Sequence, residues 1–158
     1  MDLATVGLVI KTATSAVGFI DKIADQIERF LTKKPAPSVP TAHRARIEQD
    51  GDAIVSRRDG KVVRKIRATD LQNLAPHDYQ HIKVLEQSMN NHYAVWSAVY
   101  PKLALEVDPI AKARLEQQLK DIVRAMKSDL DGILKFLEQI GIDLDDHYMH
   151  IRHLVAAA

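Results

Sequence analysis

Apolar residues hold one face of the opening stretch for four heptads. Leu3, Val6, Ile10, Ala13, Val17, Ile20, Ala24, Ile27 and Leu31 are spaced alternately three and four residues apart, and none is charged. This is the repeat of a helix that lies along other helices. Val9, Ala16, Ile23 and Phe30 line one flank of it. The stripe is therefore wider than a two-stranded seam and needs more than one neighbour. A helix over residues 2–32 is predicted.

Lys33-Lys34 and then Pro35, Pro37 and Pro40 end that helix, since proline removes backbone donors and favours an extended path. Beyond this linker (35–42) the pattern changes to short alternating runs. Asp50-Gly51 and Asp59-Gly60 are hairpin signals separating Arg44–Gln49, Asp52–Arg57 and Lys61–Arg67. The expectation is a three-stranded antiparallel meander, with Arg57 opposite Val62, Val55 opposite Arg64 and Ala53 opposite Ile66. Neither face is strongly apolar, so the sheet needs a helix to rest on.

Helical spacing resumes after a short turn at Thr69-Asp70. Ile82, Leu85, Met89, His92, Trp96, Val99 and Leu103 mark a helix that starts near Pro76, and Pro101 is expected to end or kink it. Asp108-Pro109 opens a third helix through Leu115, Leu119, Ile122, Met126, Leu130, Ile133, Leu137 and Ile140, with Ser128 and Gly132 as possible interruptions. Gly141 suits its C-cap, and a last helix runs to about Val155. The fold class is mainly α (α+β): an up-and-down bundle of three to four long helices, with the meander inserted after the first. By organisation the chain divides into a helix (1–34), the linker (35–42) and a meander-plus-bundle body (43–158).

The 158 residues are 46% apolar and 27% charged, which is the composition of a globular domain. With no cysteine, disulfides, zinc thiolates and cysteine nucleophiles are excluded, and a reducing compartment such as the cytoplasm is the fitting one. No secretory leader is expected, because Asp2 stands where a basic region should be. The net charge of +1 hides a split: residues 43–67 hold eight Lys or Arg against four acids, and residues 68–158 hold nine against thirteen. A basic middle and an acidic C-terminal half are expected to attract each other within one fold, ahead of any external partner for the basic patch.

Three constellations carry possible chemistry. His77 and His81 are four residues apart, and His147, His150 and His153 follow one another at intervals of three beside Asp143, Asp145 and Asp146. His77, His81, His147 and His150 are the candidate metal ligands. Ordinary pairing along a helix surface accounts for the acidic neighbours equally well, and no metal or cofactor is assigned. Arg57, Arg58, Lys61, Arg64 and Lys65 are candidate contacts for an anionic partner, such as phosphates of nucleic acid or of lipid headgroups. No Phe, Tyr or Trp lies between residues 43 and 67 to stack on bases, so sequence-specific nucleic acid is not expected. Tyr93, Trp96 and Tyr100 form an aromatic run best read as core. The six glycines are scattered, so no phosphate loop exists, and no serine sits in a nucleophile elbow. An enzyme is not the favoured reading; a metal-binding bundle enzyme stands third among the functions expected.

From Leu3 to Ile20 the single charge is Lys11, and Ala4, Gly7, Ala13, Ser15, Ala16 and Gly18 make this stretch rich in small residues. Its length approaches that of a membrane span, although a central Lys opposes insertion by roughly 2.5–3.5 kcal/mol. An apolar, small-residue opening helix that turns charged after Asp21 resembles the first helix of HeLo-type four-helix cell-death bundles, over about 30 of the 158 residues. That resemblance implies membrane insertion after assembly; the hairpins at 43–67 are no part of it. Two functions are thus expected ahead of catalysis. The first is a helical interaction module that self-associates or takes a helical partner through Leu3, Val6, Ile10, Val17, Ile20, Ile23, Ile27, Phe30 and Leu31. The second is a protein that uses the same helix on a membrane, placing it at a membrane periphery.

Overall fold

The computed structural model describes residues 2–33, 46–142, 144 and 146–158, without the side chains of Asp146 and His147. The linker 35–42, Arg44, Asp143 and Asp145 lie outside the described residues. In chain order the elements are α1 (Leu3–Thr32), β1 (Arg46–Asp50), β2 (Ala53–Arg58), β3 (Lys61–Arg67), a 3₁₀ turn (Ala68–Leu71), α2 (Pro76–Leu105), α3 (Pro109–Gln139) and α4 (Asp146–Ala157). The fold is mainly α, with a small antiparallel sheet between the first two helices.

Local chemistry sets the helix ends. Asp2 Oδ1 accepts the Thr5 N–H at 2.8 Å, and this bond holds the Asp2 carboxyl below its ordinary pKa. Asp108 caps α3 on the N–H groups of Ile110 and Ala111. At the other end, Gly141 takes φ +99° while the N–H of Ile142 reaches Leu137 O and that of Gly141 reaches Glu138 O. This is a Schellman closure, and it tucks Ile142 into the core.

Two expected breaks do not occur. α2 passes through Pro101 and runs on to Leu105; the missing N–H removes one ladder bond from a helix of 30 residues. α3 runs unbroken through Ser128 and Gly132. Gly132 serves packing instead: a Cβ there would stand 2.7 Å from Leu85 Cδ1, so its bareness lets α2 come close.

Paired side chains give the helix directions. Ser15 meets Glu86, Phe19 meets Tyr93 and Phe30 meets Trp96, so α1 runs parallel to α2. Ser88 and His92 meet Asp129, while Arg152 reaches Asp131 and Glu138 and Arg124 reaches Ala158, so α2, α3 and α4 alternate. The connection that holds the meander therefore returns the chain to the starting end before α2 begins.

In the meander, Asp59 (φ +52°) and Gly60 (φ +77°) form the expected two-residue turn, and Arg57 pairs with Val62. A bulge at Val63 then shifts the register by one. Ser56 pairs with Arg64, Val55 with Lys65, Ile54 with Ile66 and Ala53 with Arg67, not Val55 with Arg64 and Ala53 with Ile66. The extra residue turns Ile66 onto the face of Ile54 and Ile47, and all three are buried. Without the bulge, Ile66 would share its face with Ala53 and Val55. The sheet rests on α1, as so small a sheet must rest on a helix.

α1 is the hub. Val6, Val9, Ile10, Ala13, Ala16, Val17, Ile20, Ile23, Ala24, Ile27 and Phe30 are all buried in one continuous core with residues of α2, α3, α4 and the sheet. Ile20, near the middle of the seam, is 1% exposed inside the monomer, so substitution there attacks the fold itself. Ile20→Ala is expected to lower the unfolding free energy by about 2–5 kcal/mol, the range for large-to-small changes at closed core sites, measured by urea denaturation.

Candidate interaction surfaces

The apolar seam of α1 is occupied by the molecule's own elements. Of the nine residues predicted to form an interface, Val6, Ile10, Val17, Ile20, Ile23, Ile27 and Phe30 are buried, Leu31 is half-buried and Leu3 is exposed. The stripe does need several neighbours, but α2, α3, α4 and the sheet supply them. In the closed bundle the seam is not a surface.

Polar side chains cross this core at three places. Trp96 is fully buried; its Nε1 donates to Gln26 Oε1 at 2.7 Å, and its ring stacks on Tyr100 and meets Phe30 edge-on. The aromatic run is therefore a core anchor between α1 and α2. Asp129 of α3, almost wholly buried, accepts the Ser88 hydroxyl and lies 2.9 Å from His92 Nδ1. Serine and histidine meet the same carboxylate oxygen here, so no nucleophile–base–acid relay forms. Glu28, completely buried, lies 3.1 Å from His150 Nε2, and Tyr148 donates to Asp21 at 2.8 Å, tying α4 to α1. Arg152 forks onto Asp131 and Glu138, and the bond to Asp131, then that to Glu138, raises its pKa.

The histidine candidates separate. His77 is exposed and lies 3.4 Å from Asp78, His81 is exposed, and His150 is taken by Glu28. The His147 side chain lies outside the described residues. Among the described residues no three His, Asp or Glu side chains converge as metal ligands.

Of the basic candidates, Arg57 is tied to Glu48 at 2.7 Å. Arg58, Lys61, Arg64 and Lys65 are exposed on or beside β3, one of the two edge strands of the sheet. Val62 and Val63 are exposed between them.

Two surfaces escaped the sequence reading. Leu105, Val107 and Ile110 are exposed at the α2–α3 turn, beside a groove that includes Ala111 and Leu115. Apolar residues flanking the Asp108-Pro109 cap were the available signal. The second is the outward side of α1, where Ala4, Leu8, Lys11 and Ser15 are exposed and Gly7 and Gly18 are partly so. Leu3 and Leu8 are 46% and 49% exposed. Ala4, Leu8, Lys11 and Ser15 repeat at helical spacing too, opposite the more conspicuous seam, to whose edge Leu3 belongs.

Compared with known proteins, the chain matches no family model, no curated protein and no solved structure.

The Trp96–Gln26 bond gives a direct test of the core assignment. Gln26→Leu should strand the indole N–H and lower stability by about 1–3 kcal/mol, as for other buried donors left without an acceptor. Adding Trp96→Phe should cost less than the sum of the two single changes, as read by chemical denaturation of all four proteins.

Proposed function

We propose that the chain is a helical interaction and oligomerisation module, acting without catalysis or cofactor, that assembles through the outward side of α1. One observation carries the reading. Between Leu3 and Phe19 the solvent-facing side of α1 bears a single charge, Lys11. The exposed side of α3 is studded with Lys112, Arg114, Lys120, Asp121, Arg124, Lys127 and Lys135. A helix facing water is normally charged like α3; α1 instead offers Leu3, Ala4, Leu8 and Ser15. A Cβ at Gly7 or Gly18 would meet nothing within 4 Å, so a second helix can approach the backbone closely there. The favoured occupant is α1 of a second copy, packed helix on helix.

A second reading, association with a membrane, is supported by the apolar length of the same helix. α1 alone among the described helices is long and apolar enough to cross a bilayer, and 39% of its most apolar 18 residues are buried. In the bundle, this reading uses the same exposed side against lipid.

Light scattering separates these readings. The wild-type chain is expected to exceed its monomer mass of 17.7 kDa as concentration rises, and Leu8→Glu to return it to that mass. A wild-type monomer at every concentration removes self-assembly. Loss of vesicle co-sedimentation in Leu8→Glu would then favour the membrane reading. Deleting residues 1–40 is not a usable comparison, because it takes out the hub of the core.

A further inference from the structure

The β2–β3 hairpin presents cations that the protein itself does not use. Among the described residues, Arg58, Lys61 and Lys65 have no ion-pair partner, Arg57 is neutralised by Glu48, and Arg64 lays its guanidinium against Gly141 at the end of α3. The sheet's acids are largely elsewhere. Asp50 and Asp52 sit at the β1–β2 turn, about 20 Å from Arg58 and Lys61 at ~3.3 Å per residue and about 10 Å from Lys65, which pairs with Val55. Asp70 accepts the backbone N–H of Arg67. Asp59, in the turn itself, is the one acid within the run from Arg57 to Arg67.

The cations are interleaved with grease. Val62 and Val63 are 47% and 60% exposed. Solvated edge strands gain from lysine and arginine, but adjacent exposed valines gain nothing from water. The bulge at Val63 breaks the ladder repeat at the open edge, which disfavours an added peptide strand. No aromatic side chain stands in β1, β2 or β3 to stack on a base. A surface that offers phosphates above and acyl chains beneath fits both the charges and the valines.

We propose that the β2–β3 hairpin docks on an anionic lipid surface, with Arg58, Lys61 and Lys65 on headgroup phosphates and Val62 and Val63 at the headgroup–acyl boundary. This docking does not depend on the outward side of α1.

Co-sedimentation of the full chain with phosphatidylcholine vesicles, with and without about one third phosphatidylserine, tests it. Binding is expected with the anionic vesicles alone and should weaken as salt rises. Lys61→Ala/Lys65→Ala should weaken it roughly 25-fold, near fivefold for each cation removed. Val62→Ser/Val63→Ser should weaken it as well. All four positions are exposed, and an unchanged melting curve confirms that each variant is folded. Leu8→Glu should leave this binding as it is; loss in Leu8→Glu with none in the lysine variant would assign the lipid contact to α1 and overturn the hairpin proposal. Absence of wild-type binding to the anionic vesicles also overturns it. So does tighter binding to duplex DNA or RNA that ignores the valine substitutions, which would make the partner a nucleic acid.

Discussion

Everything in this fold depends on covering one helix. α1 carries apolar side chains over so wide an arc that no single neighbour can remove them from water. The bundle answers by placing α2 and α3 against it, α4 along its C-terminal half, and the sheet elsewhere on its surface. Hydrophobic burial has no direction of its own, so the sheet's place must be set by register. The bulge at Val63 does this by bringing Ile66 to the side of Ile54 and Ile47.

Directional polar contacts fix how the helices meet. A greasy core alone tolerates sliding and repacking, whereas a buried donor or carboxylate has few satisfactory positions. Trp96 finds Gln26, Asp129 takes Ser88 and His92, and Glu28 meets His150. Each joins two different helices. α1 is held in this way from both sides, by α2 and by α4, and a displacement along its axis would break both sets together.

The outer surface divides by chemistry. α3 is densely charged, as a solvated helix should be. From Leu3 to Phe19 outward α1 bears one charge, Lys11, and the β2–β3 hairpin is basic with exposed valines. Opposite requirements meet in α1: its inner side is fully engaged, and its outer side lacks the polarity that water rewards. This asymmetry, more than any cleft, supports a protein that works by contact with another surface.

Periodicity was enough to read the four helices, the meander and the Asp59-Gly60 turn from the chain alone, because each follows from neighbours a few residues apart. The caps at Asp108 and Gly141 were legible for the same reason. Local signals also named the apolar seam, and could not say whose atoms would fill it. An apolar stripe has the same pattern whether it is covered by its own chain or by another, so only tertiary packing could put Ile20 inside the monomer. The bulge depended on where α1 would demand apolar contact. Gly132 looked like a breaker until Leu85 was found 2.7 Å from the place its Cβ would take. Direction, too, was decided in three dimensions: the parallel run of α1 and α2 depends on where the intervening chain returns, a choice on which heptad spacing is silent.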